Sequence, residues 1–169
     1  NVGYALVALA ALSRDGVQAL LIYLAIYFLN TLGAFGVLLC LRRDDKAVDN
    51  LSDFSGLSRT HPMLALAMTV FMFSMAGVPP MAGFFGKYFV FLSAVHSGMV
   101  ALAVFGVLTS VISAFYYLRI VKVMYFDEVQ HRISPLEGHG RQTVILVAAL
   151  FMLVFTVWPS DRKSTRLNS

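Results

Sequence analysis

Long apolar runs separated by short polar segments dominate the chain. Residues 17–41 contain no charged side chain, and residues 99–118 form a second uncharged run that continues to 126 past two basic residues. Since about 20 apolar residues suffice to cross the hydrocarbon core, each run predicts a transmembrane helix. Shorter apolar runs at 2–13 and 143–158 predict two more helices, the second ending at the interfacial pair Trp158-Pro159.

The run at residues 63–95 is too long for one straight span. A continuous helix over it would measure about 50 Å at about 1.5 Å per residue, whereas the hydrocarbon core is about 30 Å thick. Prolines lack an N–H and leave carbonyls unpaired, and such backbone is tolerated in a bilayer only within protein or beside water. A simple kink is the alternative, but we predict a broken helix that lines a polar path. The break residues are Gly77, Pro79, Pro80 and Gly83.

Lys87 is the only residue of the run 63–95 that can carry a charge. A lysine near a helix end often extends its amine to the membrane interface, but Lys87 stands about 12 Å of helix from the end of the run. Ionisable groups inside a membrane mark ion and proton paths, and a lysine, unlike an arginine, can release its proton. We therefore predict that Lys87 carries a proton beside the helix break.

Two further helices carry polar side chains at helical spacing. The separations i, i+4 and i+7 place each set of three on one face of its helix. Such residues most often hydrogen-bond between helices, and lining a hydrated path is the second interpretation. The two sets are Tyr23, Tyr27 and Asn30, and Thr109, Ser113 and Tyr116.

Loop charges predict the orientation of the helices. Basic residues concentrate in the loops Arg42–His61 and Asp127–Arg141, whereas the connections on the opposite side hold only Arg14. Cytoplasmic loops carry an excess of lysine and arginine, so we predict that both basic loops are cytoplasmic.

The composition excludes several classes of function. Hydrophobic residues make up 59% of the chain and charged residues 13%, about half the charge content of soluble domains. Most basic residues lie in the short segments between apolar runs, where charges that anchor a membrane protein belong, so the net charge of +4 does not indicate nucleic acid. Cys40 is the only cysteine, which excludes an intrachain disulfide, and the four histidines lack metal-ligand spacing. The sequence thus predicts an all-α, polytopic membrane helix bundle with no metal site and no redox centre of its own.

The composition changes abruptly near the end of the chain. Residues 161–169 are polar, whereas those before Pro159 are apolar. We expect the chain to be a fragment whose membrane domain covers residues 1–160, followed by a tail foreign to the native sequence.

Several strings of residues resemble subunit N of NADH-quinone oxidoreductase, respiratory complex I, in identity and order. They extend over nearly the whole chain up to about residue 160. The strings are Tyr23-Leu-Ala-Ile-Tyr27, Leu32-Gly-Ala-Phe-Gly36, Asp53-Phe-Ser-Gly-Leu57, His61-Pro62, the run from Ser74 to Phe91, Tyr116-Tyr-Leu-Arg-Ile-Val-Lys-Val-Met-Tyr125 and Trp158-Pro159.

The resemblance implies an antiporter-like fold with two inverted repeats, each holding a broken helix, of which this chain would be the last four to five helices. It places Lys87 on the proton-carrying lysine of the second broken helix. The implied enzyme couples NADH-to-quinone electron transfer to proton pumping, and this subunit carries no redox chemistry. NADH, FMN, iron–sulfur clusters and quinone are expected in other subunits. The implied partners are other membrane subunits of complex I and the lipid bilayer, in a bacterial inner membrane.

Two alternatives remain. The first is a subunit of a multisubunit cation/proton antiporter or membrane-bound hydrogenase built on the same fold. The strings Tyr-Tyr-Leu-Arg and Leu-Gly-Ala-Phe favour complex I over these relatives. The second is a non-pumping membrane scaffold in which Lys87 only anchors a helix.

Overall fold

The computed structural model describes residues 2–11, 13–43, 46–48, 50–129, 134–135, 147 and 149–150. Most of the predicted helix 143–158 and the whole tail 161–169 lie outside the described residues. The helices are α1 (Val2–Ala10), α2 (Arg14–Cys40), α3 (Leu57–Thr60), α4 (Pro62–Ala76), α5 (Ala82–His96) and α6 (Val100–Phe126), with a 3-10 helix at Leu51–Phe54. Three short strands are β1 (Leu41–Arg43), β2 (Lys46–Ala47) and β3 (Ser134–Pro135).

Two of the described helices, α2 and α6, are long and apolar enough to cross a membrane. Each has 27 residues, about 40 Å of helix. By contrast α4 and α5 have 15 residues each, about 22 Å, so only the two in succession span a bilayer. Helix α2 begins three residues before the uncharged run because Ser13 caps it, accepting the Gly16 N–H at 3.0 Å.

Helix α4 lies at the centre of the bundle, and most of its side chains are buried. It packs against α2, α5 and α6. Gly33 of α2 gives room to the Phe71 ring of α4, since a Cβ at that position would overlap the ring. The outer face of α6 remains apolar and open, with Phe105 and Phe115 each 66% exposed. Such a face suits lipid or further membrane helices.

The two basic loops meet at one end of the bundle. Strand β1 pairs antiparallel with β2 and with β3, aligning Arg42 with Ala47 and with Ser134. At the opposite end, the Ser97 hydroxyl donates to the Ala11 carbonyl at 3.1 Å and joins the turns there. The described parts of the loops Arg42–His61 and Asp127–Arg141 therefore share one side of the bundle, as the predicted orientation requires. The pattern of apolar residues did not predict the small sheet.

Candidate functional site at the helix break

The break between α4 and α5 starts at a glycine turn. Gly77 has φ +83°, a left-handed conformation that favours glycine, and its N–H donates to the Ser74 carbonyl at 3.1 Å. The Val78 N–H donates to the Phe73 carbonyl at 3.0 Å, which completes a Schellman motif. The Pro79–Pro80 peptide bond is cis, and α5 begins at Ala82. The non-helical segment is thus residues 77–81, so Gly83 belongs to the first turn of α5.

The Schellman motif leaves two carbonyl groups of the last turn of α4 without backbone partners, and the Lys87 side chain is the hydrogen-bond donor to both. Its Nζ donates to the Met75 carbonyl at 2.9 Å and to the Ala76 carbonyl at 3.3 Å. The C-terminal end of a helix carries partial negative charge, which favours a cation at this position. Lys87 is only 6% exposed, so these carbonyls replace much of the hydration that the ammonium group loses.

The remaining contacts of the Lys87 amine come from two other helices. The Nζ donates to the Ser110 hydroxyl of α6 at 2.9 Å and lies 5.2 Å from the centre of the Tyr4 ring of α1. An ammonium group has three N–H donors, and each has an acceptor here. Within the described residues no carboxylate pairs with Lys87, so its charge is balanced by dipoles and an aromatic face alone.

A buried polar cluster ties α2 to both halves of the broken helix. The Ser74 hydroxyl of α4 accepts the Asn30 Nδ2–H and the Gly83 backbone N–H, both at 3.0 Å. A Cβ at Gly83 would overlap the Ser74 carbonyl oxygen, so this close approach needs glycine. Asn30 is 2% exposed, and its Oδ1 has no hydrogen-bond partner among the described residues. The cluster therefore keeps one acceptor open beside Lys87.

Lys87 borders two cavities on different sides. A small one of about 10 Å³, close to the volume that one water molecule requires, lies between α2 and the break. This cavity is lined by Lys87 and Gly83 together with the predicted residues Tyr23, Tyr27 and Asn30. The second is an open groove of about 820 Å³ between α5 and α6. Its walls are mainly apolar, and Lys87 and Ser110 are among the few polar groups in it.

The three residues predicted on α6 do not reach Lys87. Thr109 and Ser113 donate their hydroxyls to carbonyls of their own helix, at 2.8 and 2.9 Å. Tyr116 lies on the outer face and is 61% exposed. The serine that does contact the lysine is Ser110, which no spacing in the sequence singled out. Sequence spacing did not single out Tyr4 either. In the structure its hydroxyl lies 3.5 Å from Thr109 Oγ1.

The groups that meet at the break are donors and acceptors of hydrogen bonds. Among the described residues, no group of three or more histidine, cysteine or carboxylate side chains could hold a metal ion. What the break brings together is a lysine amine, helix-end carbonyls, hydroxyls and an amide. The amine can take up and release a proton, and the other groups can form hydrogen bonds with it or with one another.

Comparison with known proteins places these features in a family. A family model described as "NADH:quinone oxidoreductase/Mrp antiporter, TM" matches residues 1–113. The chain is 52% identical to NADH-quinone oxidoreductase subunit N of Rhodospirillum rubrum over 160 residues, covering 95% of this chain and 33% of that protein. The corresponding subunit of Paramagnetospirillum magneticum is 50% identical over the same length and coverage. The chain thus spans about a third of the length of these relatives.

Solved structures share the fold. A chain of respiratory complex I from Thermus thermophilus matches with a TM-score of 0.79 and 32% identity, over 93% of this chain and 35% of that one. A chain of the Mrp complex from a Dietzia species matches with a TM-score of 0.74 at 20% identity, over 92% and 37%. The second match concerns the fold alone.

Proposed function

This chain belongs to the NADH:quinone oxidoreductase/Mrp antiporter transmembrane family, and we propose that it is the C-terminal part of a proton-translocating subunit of NADH-quinone oxidoreductase. It is a multi-pass membrane protein with the antiporter-like helical fold. The observation that carries the proposal is Lys87, a buried amine held at the open end of a broken transmembrane helix. The wider enzyme would couple NADH-to-quinone electron transfer to proton movement here.

In this proposal Lys87 alternates between its ammonium and amine forms. The carbonyls of Met75 and Ala76 hold the charged form, and the proton is exchanged on the side of the small cavity that Lys87 lines together with Asn30. Moving a unit charge through the membrane field involves about 2.3 kcal/mol per 100 mV, so the change must be coupled to chemistry elsewhere. We assign that chemistry, and the NADH, FMN, iron–sulfur and quinone sites, to other subunits of the complex.

The proposal includes a location. The bacterial relatives and the loop charges support a bacterial inner membrane with the loops Arg42–His61 and Asp127–Arg141 on the cytoplasmic side. The open apolar face of α6 suits lipid or the other membrane subunits.

A cation/proton antiporter subunit is the second candidate, because a chain of the Mrp complex shares the fold. Sequence identity favours the first: 52% with subunit N of NADH-quinone oxidoreductase against 20% with the Mrp chain. A scaffold role for Lys87 makes a different prediction, which the following experiment tests.

The test places Lys87→Ala and Lys87→Arg in the full-length gene and measures NADH-driven proton pumping in inverted membrane vesicles. We expect normal assembly and pumping at least about tenfold lower in both variants, because alanine removes the carrier and arginine does not release its proton. Lys122→Ala is the matched control, since Lys122 is an exposed lysine near the end of α6.

Two results would contradict the proposal. Normal pumping in assembled Lys87→Ala would remove Lys87 from the proton path. Normal pumping in Lys87→Arg together with loss in Lys87→Ala would mean that only a fixed positive charge is needed, as the scaffold hypothesis requires.

A further inference from the structure

We propose that Ser110 is a positioning residue that holds the Lys87 amine in both of its protonation states. The inference rests on the proposed function of Lys87 as a proton carrier. It assigns a role to a hydroxyl from α6, which packs onto the break from the groove side.

The need for such a residue follows from the chemistry of an amine. The ammonium form has three N–H donors and no lone pair, whereas the neutral amine has two donors and one lone pair that accepts. The carbonyls of Met75 and Ala76 can only accept hydrogen bonds, so neither can serve that lone pair. Tyr4 meets the amine through its ring face. Among the described contacts of Nζ, only Ser110 has a hydrogen to donate.

The surroundings of Ser110 leave its hydroxyl hydrogen available. Serine and threonine within helices commonly donate to a carbonyl one turn earlier, and the neighbours Thr109 and Ser113 both do so. Ser110 makes one described hydrogen bond, in which its Oγ accepts from Lys87 at 2.9 Å. When Lys87 gives up its proton, rotation about the C–O bond turns the Ser110 hydrogen toward Nζ. The same two heavy atoms stay in contact, and only the direction of the hydrogen bond reverses.

The position of Ser110 adds a second consequence. Ser110 and Lys87 both line the groove between α5 and α6, so the reversible hydrogen bond lies at the edge of that groove. A threonine would keep the hydroxyl, and the open, mainly apolar groove that Ser110 lines has room for one more methyl group. This makes Ser110→Thr a conservative replacement, and Ser110→Ala the variant that removes only the reversible partner.

The experiment uses the full-length subunit in the assembled complex, in inverted vesicles. The variants are Ser110→Ala and Ser110→Thr, with Ser93→Ala as the matched control. Ser93 is a buried serine of α5 whose hydroxyl donates to the Val90 carbonyl at 2.8 Å and does not contact Lys87. Proton pumping, NADH turnover and the KM for quinone are measured across pH, and assembly is quantified for each variant.

We expect Ser110→Ala to lower pumping and turnover about threefold to tenfold, the rate equivalent of one hydrogen bond, with an unchanged KM for quinone. Its pH profile should also move relative to the parent protein. Ser110→Thr should restore both the rate and the profile, and Ser93→Ala should match the parent.

The outcomes separate this inference from the proposed function. If Lys87→Ala fails while Ser110→Ala pumps normally, the role of Ser110 is wrong and the role of Lys87 stands. If both pump normally, the proposed function is wrong. If Ser110→Thr is as impaired as Ser110→Ala, or if Ser110→Ala is slow without any change in its pH profile, Ser110 contributes packing only and the inference is overturned.

Discussion

Replacing Gly83 by alanine tests how closely the two halves of the broken helix approach each other. The added Cβ would overlap the Ser74 carbonyl oxygen, which is backbone and cannot turn aside as a flexible side chain could. To make room, α5 has to move away from α4. This movement lengthens the hydrogen bond from the Gly83 N–H to the Ser74 hydroxyl, which is 3.0 Å in the parent protein. The substitution therefore perturbs the break without touching Lys87 itself.

The expected magnitude follows from these two effects. Overpacking of a tight core contact costs about 1–3 kcal/mol, and a lost hydrogen bond costs about 1 kcal/mol. We expect the free energy of unfolding of Gly83→Ala to fall by about 3 kcal/mol. Gly86→Ala should cost less, since its Cβ would lie 3.3 Å from the end of the flexible Ile26 side chain.

The control is Gly3→Ala, because a Cβ there meets nothing within 4 Å. Its effect should stay within about 0.5 kcal/mol. The assay compares the SDS concentration at which each full-length variant unfolds in mild detergent, together with the amount of assembled complex. If Gly83→Ala unfolds at the same SDS concentration as Gly3→Ala, the close contact between α4 and α5 is refuted.

Two other predictions concern Asn30 and His61. Asn30→Leu should change the free energy of unfolding by no more than about 1 kcal/mol, because the lost hydrogen bond to Ser74 is offset by removing the Oδ1, which has no partner among the described residues. The same substitution should lower proton pumping, because it removes the amide from the cavity wall. Normal pumping would exclude a role for that wall. Burial lowers the pKa of His61, which lies outside the membrane-spanning helices, so the folded protein favours the neutral imidazole. The free energy of unfolding should therefore fall as the pH drops below about 6.5, and it should fall less in His61→Gln. Unfolding midpoints are measured at pH 5.5 and 7.5 for both proteins. An equal change in midpoint between the two pH values in both proteins would contradict this.

Much of the architecture follows from local sequence. Apolar run lengths predict the long helices, and the glycine and prolines predict the interruption, because hydropathy and backbone preferences act within a few residues. Lys87 stood out for the same reason, as the only charge in its run. Its contact with Met75 and Ala76 is also short-range, since the chain crosses the break and places the first turns of α5 beside the end of α4 within twelve residues.

The partners from other helices were decided only by the tertiary structure. On α2 the predicted stripe does face the site, and Asn30 reaches Ser74 at 3.0 Å. On α6 the predicted stripe does not reach the lysine, and Ser110 contacts it instead.

The physical reason lies in the membrane. A soluble helix shows its buried face by the contrast between polar and apolar sides, but in α6 apolar side chains occupy both the outer face and the face toward the bundle, so this contrast is weak. Its rotation is set by shape, including the Phe91 ring that packs against Gly106. The sequence by itself therefore determined the break and its lysine, while packing decided which hydroxyl and which aromatic ring would surround the amine.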